Sequence, residues 1–269
     1  MLAGMAALTA SDLDDLRRAR AALEHPGLAI RIADAIGMPV EGLFRRLPGP
    51  ARRIVAGATR RSLEVALGAA LRTLDGRRGG PASDWLHRAA LLASGAAGGA
   101  VGLPGLLVEL PFSLTVMLRS IADHARAQGE DLAQVASRLE CLTVFAYGTR
   151  AASDDAADPG YFAARAALAR AVSQAAQFVA ERGVAGAAGE TGAPALVRLV
   201  AAVARRLGVA VTDKAAAQFV PVIGAAGGAA VNALFVSHYQ QVARAHFTVR
   251  RLERAHGEEA VRRAWEAGR

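Results

Sequence analysis

The feature that most constrains this chain is a pair of long segments that contain no charged residue. Residues 89–108 form a segment of 20 residues, residues 215–237 form one of 23 residues, and the motif AAGGA occurs in both. Alanine is the best helix former, and glycines four positions apart on a helix let a second backbone come close. We therefore predict two Gly/Ala-rich apolar helical hairpins packed together, with close contacts at Gly98, Gly99, Gly224 and Gly228.

The composition favours an all-α fold. Hydrophobic residues make up 53% of the chain but aromatic residues only 5%, so much of the apolar content is alanine. Runs of β-branched and aromatic residues, which mark strands, are short and rare. We predict a single multi-helix domain. Residues 1–80 would form a basic N-terminal helical segment, and residues 81–269 the rest of the same continuous structural unit.

Hydrophobic spacing and capping residues place several helices. A helix over residues 11–24 is predicted to begin with Ser11 as its cap, and further helices are predicted over residues 161–181 and 195–206. In residues 51–74 four apolar side chains recur at helical spacing, so we expect them to face the core, with arginines on the other side: Ile54, Ala58, Val65 and Leu71.

The first uncharged segment is long enough to cross a bilayer, which leaves three alternatives open. Twenty apolar residues meet the length criterion for a spanning helix. Five glycines and Pro104 in the segment, and Glu109 directly after it, oppose insertion. We favour a buried helical hairpin bent at residues 103–105 over a transmembrane span or a hairpin that dips into the membrane.

The net charge of +8 is concentrated near the N-terminus. Residues 43–80 contain nine arginines against Glu64 and Asp75, which gives 9 − 2 = +7. Such a segment attracts anionic lipid headgroups or nucleic acid, or is an ordinary solvated surface. Scarce aromatic side chains disfavour nucleic acid, because base stacking needs them. The predicted residues for binding an anionic surface are Arg45, Arg46, Arg52, Arg53, Arg60 and Arg61.

Lys214 is the only lysine in a chain with 31 arginines, and it stands at the edge of the second uncharged segment. Thr212 or Asp213 is predicted to cap a helix that begins here. Three environments are open for Lys214: a solvated surface, an ion pair with Glu109 between the two hairpins, or a lipid phosphate. Asn232 lies inside the second segment and is predicted to join the hairpins by a hydrogen bond.

Catalytic motifs are scarce. The sequence has no HExxH, no paired cysteines, no GxSxG and no P-loop, and Cys141 lies in an apolar stripe typical of core packing. His238 and His246 are eight residues apart, but the six histidines show no metal-ligand spacing, so we expect neither a metal nor a cofactor. The alternative to a binding protein is a hydrolase or transferase with a polar pocket around Glu109, Asp123, His124, Lys214 and His238.

Three stretches resemble a known family. GLPGLLVELPFSLTVMLRSIADHARAQG, DPGYFAAR and FVPVIGAAGGAAVNALFVSHYQQVARAHFTVRRLERAHG are similar to the EcsC protein family, over residues 85–257. The resemblance implies a helical intracellular protein with a membrane connection, and it supplies no catalytic residues. Members are often encoded near transport genes, which makes a membrane transporter a candidate partner.

The sequence therefore predicts a membrane-associated, lipid-binding or transport-accessory protein. Its expected partner is an anionic membrane surface or lipid rather than nucleic acid. A single cysteine and an N-terminus without a basic, apolar leader favour a cytoplasmic location, with peripheral attachment to the inner face of the cell membrane.

Overall fold

A computed structural model describes residues 7–24, 32, 48–74, 103–147, 160–189, 193–218 and 224–268. These residues form eight α-helices, one short 3-10 helix and no strand, and the predicted all-α single domain is confirmed. The helices are α1 (Ala10–Glu24), α2 (Gly49–Thr73), α3 (Leu103–Ala127), α4 (Val135–Thr143), α5 (Tyr161–Gly189), α6 (Pro194–Gln218), α7 (Gly224–His256) and α8 (Glu258–Ala267), with the 3-10 helix Val144–Ala146 following α4.

The helix starts follow local capping chemistry. α1 begins one residue before the predicted Ser11, because Thr9 and Asp12 form a capping box. The Thr9 hydroxyl accepts a hydrogen bond from the Asp12 N–H at 3.1 Å, and Asp12 accepts one from the Thr9 N–H at 3.0 Å. α2 has Pro50 in its first turn, where the missing N–H costs nothing.

The predicted helix start beside Lys214 is wrong. α6 runs without a break from Pro194 to Gln218, and the Thr212 hydroxyl donates to the Gly208 carbonyl at 2.6 Å inside this helix. Gly208 has a low helix propensity, which destabilises a helix. The nearby side chains of Leu207 and Val211 are fully buried, and their packing outweighs this cost. Lys214 therefore lies near the C-terminal end of a long helix, and no N-terminal helix dipole opposes its charge.

The longest helix, α7, is the centre of the domain. It contacts α1, α3, α6 and α8, and its inward side chains are fully buried, among them Phe235, Val242, Phe247 and Leu252. α2 packs against α3 and α6. The N-terminal segment thus adds α1 and α2 to the same hydrophobic core as the rest of the described chain.

The predicted core side of α2 is correct in part, because Leu71 is buried and Ala58 packs against the core. Ile54 is 50% exposed and Val65 is 44% exposed, so the prediction that they are buried is wrong. The buried side is formed by residues that include Val55, Leu63 and Leu71. α2 has neighbours on two sides, and their positions rather than hydropathy alone select the face that is buried.

Much of the predicted hairpin pair lies outside the described residues. Gly98 and Gly99 fall there. Gly224 and Gly228 belong to α7, but only their place in the helix is described, so the predicted close contacts remain predictions. In the described part, residues 103–105, where the bend was predicted, lie in α3, and α3, α6 and α7 contact one another. None of the described helices is both long enough and apolar enough to cross a membrane.

α8 is attached to the core by an aromatic cluster. The Trp265 ring lies 5.5 Å from Tyr161 and 5.2 Å from Phe162, measured between centroids, and its Nε1–H donates to Glu24 in α1 at 3.2 Å. Arg20 donates to the Trp265 carbonyl at 3.2 Å. One buried side chain therefore joins the C-terminal helix to α1 and α5.

We expect Trp265→Ala to lower the free energy of unfolding by about 3–5 kcal/mol, because it leaves a large cavity among these rings. Denaturant unfolding measures this loss. Trp265→Phe is the control and should lose much less, because it keeps an aromatic ring. Equal midpoints for wild type and Trp265→Ala would show that α8 is not part of the cooperative core.

Candidate functional site

Lys214 is fully buried and all three of its N–H donors are used. Its Nζ lies 3.1 Å and 2.9 Å from the two carboxylate oxygens of Glu109 and 2.8 Å from Oδ1 of Asn232. Glu109 belongs to α3, Lys214 to α6 and Asn232 to α7. The ion pair with Glu109 was one of the predicted alternatives, and the structure contains it, together with a hydrogen bond that Lys214 donates to Asn232.

Two further side chains contact the ion pair between Lys214 and Glu109. Ser113, one turn after Glu109 in α3, donates its hydroxyl hydrogen to the same carboxylate, and the Phe235 ring centroid lies 5.1 Å from Nζ. Burial lowers the pKa of Lys214, and the attraction of Glu109 opposes this shift. The cluster therefore binds three helices to one another through charge, hydrogen bonds and an aromatic face.

The number of donors explains why this position holds the one lysine. An ammonium group has three N–H donors, and this site provides three acceptor oxygens. A guanidinium has five N–H donors in a rigid plane, so an arginine at position 214 would place more donors than acceptors in a dry interior. The lysine is thus selected by hydrogen-bond stoichiometry and shape rather than by charge.

A second buried polar cluster joins α4, α5 and α7. The Tyr161 hydroxyl lies 2.8 Å from Nδ1 of His246, and Nε2 of His246 lies 3.3 Å from Oε1 of Glu140. Nε2 faces the Glu140 carboxylate, which can only accept, so the imidazole proton is assigned to Nε2. Nδ1 is then the acceptor, and the Tyr161 hydroxyl, which keeps its proton because burial raises its pKa, donates to it.

The charges in this cluster are set by burial and by arginines. Burial lowers the pKa of His246 more than Glu140 raises it, so the imidazole is neutral. For Glu140, burial alone would raise the pKa, but contact with His246 and the charges of Arg250 and Arg165 lower it. Glu140 is therefore an ionised carboxylate beside a neutral histidine.

The order hydroxyl, imidazole, carboxylate is that of nucleophilic catalysis, but here aromatic rings cover it. The Tyr147 ring centroid lies 4.9 Å from that of His246, and the Trp265 ring lies against Tyr161. Tyr161, His246 and Glu140 are all buried. The cluster is thus a polar contact inside the core, and it fixes how three helices meet.

The five residues of the predicted enzyme pocket do not form one site. His124 follows Glu109 by fifteen residues in α3, which places it about 22 Å away along the helix axis. Asp123 pairs with Arg126 at 2.7 Å within the same helix. His238 is buried in α7 with its ring centroid 5.1 Å from that of Tyr239. Only Glu109 and Lys214 of the set are shown together.

The described part of the predicted basic segment forms an exposed surface on α2. Arg52, Arg53, Arg60 and Arg61 are all exposed, whereas Arg45 and Arg46 lie outside the described residues. Arg60 and Arg61 lie 3.3 Å and 3.4 Å from the carboxylate of Glu64. We call these four exposed arginines of α2, Arg52, Arg53, Arg60 and Arg61, the basic face.

Other candidate groups have simpler roles in the described chain. Cys141 is buried in α4 and its thiol donates to the Ser137 carbonyl at 3.3 Å, which agrees with core packing. Within the described ranges no three acidic, histidine or cysteine side chains are grouped as metal ligands would be. A groove of about 560 Å³ lies between α1 and α8, with Trp265 in its wall.

Sequence reasoning missed Tyr161, His246 and Glu140 as a unit. His246 was noted only for its spacing from His238, and Tyr161 only as part of DPGYFAAR. Their sequence separation of 85 residues gives no local signal, because the contact depends on how α5 and α7 pack. A histidine on the apolar side of a long amphipathic helix was the one available indication that a buried partner was needed.

Together these features define an all-α protein whose core contains two buried polar clusters and whose surface carries a basic helix. The sequence profile of the EcsC protein family matches residues 19–252, and the chain belongs to this family. The match extends from α1 into α7 and includes α2, which the resemblance over residues 85–257 had left open. Comparisons with curated proteins and with solved structures gave no match.

We expect Lys214→Arg to lower the free energy of unfolding by about 1–3 kcal/mol, because the larger group overpacks the site. Denaturant unfolding measures this change. Arg205→Lys, the reverse exchange at an exposed position of the same helix, is the matched control and should stay within about 0.5 kcal/mol of wild type. Unchanged midpoints in both variants would contradict a site shaped for an ammonium group.

The lowered pKa of His246 predicts a loss of stability in mild acid. Below about pH 6.5 the unfolded chain binds a proton at His246, while the folded protein does not until lower pH. The free energy of unfolding should therefore fall with falling pH, by at most about 1.4 kcal/mol per pH unit for this one proton. Glu140 adds its own loss only below about pH 4.5, because its pKa is also lowered.

Unfolding curves between pH 7.5 and 5 measure this slope in wild type and in His246→Gln, which cannot titrate. The variant is expected to be less stable at every pH but to have a smaller slope in this window. If the two slopes are equal, the pH dependence arises elsewhere and the assigned neutral imidazole is wrong.

Proposed function

We propose that this protein is a peripheral membrane protein that binds anionic lipid headgroups through the basic face, as a lipid-binding or transport-accessory protein. The observation that carries the proposal is that arginines and large apolar side chains are exposed side by side on α2. Ile54 and Val65 are about half exposed on the same helix as five exposed arginines. Helices that lie at a membrane surface combine cationic and apolar side chains in this way.

Helical geometry places two of the arginines in line with the two apolar side chains. Ile54, Arg61, Val65 and Arg72 follow one another by seven, four and seven residues, a spacing that keeps them on one side of an α-helix. The opposite side of α2 packs against α3 and α6. The arginines are therefore presented from a helix that is already fixed, so binding does not have to order the backbone.

The charge of α2 suits an anionic partner. The helix contains five arginines and one glutamate, which gives 5 − 1 = +4. The contacts of Glu64 with Arg60 and Arg61 join exposed side chains and contribute little, so the guanidinium groups can exchange this partner for lipid phosphate. α2 contains no aromatic side chain, which argues against a single-stranded nucleic acid as the partner.

The proposed location follows from the same chemistry. Anionic lipids are concentrated in the cytoplasmic leaflet of the cell membrane, so we place the protein in the cytoplasm, at the inner face of that membrane. A membrane transporter is a further proposed partner, and this rests on the family resemblance alone.

We expect the purified protein to float with vesicles that contain phosphatidylglycerol, to bind phosphatidylcholine vesicles much less, and to be released as salt rises. Arg60→Gln with Arg61→Gln should weaken binding by roughly 2 kcal/mol, or about 30-fold, at about 1 kcal/mol for each arginine. Flotation over a range of lipid concentrations measures both effects.

Arg262→Gln with Arg263→Gln is the matched control, because it removes the same charge from exposed positions of α8. The control should retain most of the affinity. Equal loss in both double variants would show that only net charge matters, and equal binding to neutral and anionic vesicles would remove the basis of the proposal.

A further inference from the structure

Exposed large apolar side chains are concentrated on two helices that touch. Of the five such side chains among the described residues, four lie on α2 and α3: Ile54, Val65, Val108 and Phe112. Val108 is the most exposed at 81%, and Phe112, one turn later, is 50% exposed. Single exposed apolar residues are ordinary, but a cluster of this kind marks a surface that binds something apolar.

The exposed side of α3 is a single line of residues. Pro104, Val108 and Phe112 are spaced by four, and all three are exposed, as is Arg119 seven residues after Phe112. Arg119 lies about 10 Å further along the helix. The line is therefore apolar at the N-terminal end of α3 and cationic beyond it. We call Pro104, Val108 and Phe112 the apolar ridge.

The buried ion pair determines that the apolar ridge faces outward. Glu109 and Ser113 follow Val108 and Phe112 directly in sequence, so they lie about 100° around the helix from them. Glu109 accepts two hydrogen bonds from Lys214 in the core. Turning the ridge inward would require this carboxylate to leave its partner, so the N-terminal half of α3 is held in one orientation.

We propose that the apolar ridge enters the lipid of an anionic membrane while the basic face contacts the headgroups. This inference rests on the proposed function. It adds to that function the surface of the protein that is transferred from water into the lipid. The apolar ridge followed by Arg119 has the same order of apolar and charged groups as a membrane surface, where acyl chains lie below a layer of phosphates. Because α2 packs against α3, the charged and apolar elements belong to one region of the domain.

The size of the ridge favours lipid over a protein partner. Val108 and Phe112 together expose at most about 250 Å² of apolar surface. Each partner in a stable protein complex buries about 800 Å². A shallow insertion of one helix side into the acyl boundary needs no such area, because the basic face supplies the remaining attraction.

A single fluorophore can test this inference. The native thiol, Cys141, is fully buried, and burial raises its pKa, so it does not react readily with a thiol reagent. Val108→Cys can therefore be labelled at one position with the polarity-sensitive fluorophore NBD. Ala167→Cys, at an exposed position of α5, is the matched control for labelling and for general adsorption to vesicles.

With phosphatidylglycerol vesicles we expect the emission at position 108 to increase and shift to shorter wavelength, while the emission at position 167 stays unchanged. If the protein floats with the vesicles but position 108 shows no shift, the ridge does not insert and only this inference fails. If the protein does not bind the vesicles, the proposed function fails and the inference with it.

Two further measurements separate lipid from other occupants. A shift at position 108 that depends on protein concentration without vesicles would mean that a second copy covers the ridge, and it would overturn the inference. Phe112→Ser should lose the part of vesicle binding that resists high salt and keep the part that salt removes. The paired substitution of Arg60 and Arg61 should do the opposite, and identical salt curves for the two variants would also overturn it.

Discussion

The ion pair between Lys214 and Glu109 is the interaction on which the arrangement of the central helices depends. Two charged groups taken out of water cost several kcal/mol each, and the structure offsets this only because every ammonium hydrogen has an oxygen within reach. The three oxygens come from α3 and α7, while the ammonium comes from α6. Movement of α3 or α6 would leave a charge without its partner, and movement of α7 would leave one ammonium hydrogen without its acceptor.

This constraint connects the interior to the surface. Holding Glu109 inward holds Val108 and Phe112 outward, and the same helix supports α2, whose outer side carries the arginines. The buried cluster and the exposed region are thus consequences of one helix orientation. Hydrophobic packing is non-directional and would not by itself specify which side of α3 meets water.

The sequence was most informative where a charged or polar residue stands in or beside an uncharged segment. The pairing of Lys214 with Glu109 was one of three predicted alternatives, and Asn232 was predicted only to join the hairpins by a hydrogen bond. The structure brings the three side chains together. The exposure of Ile54 and Val65 was not predictable, because helical spacing shows that an apolar stripe exists but not which neighbours cover it. The contact of Tyr161 with His246 was likewise not predictable, because it depends on the packing of two helices distant in sequence. The continuity of α6 depends on tertiary contacts that outweigh the low helix propensity of Gly208.

Two polar clusters, at Asn232 and at His246, fix the position of α7 along its axis. Surfaces of alanine and glycine are smooth, so helices rich in them can slide past one another with little change in buried area. Asn232 fixes one part of α7 to Lys214, and His246, about 21 Å further along the axis, is fixed to Tyr161. A slip by one turn would break both contacts together. The two clusters therefore specify register, whereas a gain in stability does not follow from them, since apolar residues of similar volume often replace a buried ion pair without loss.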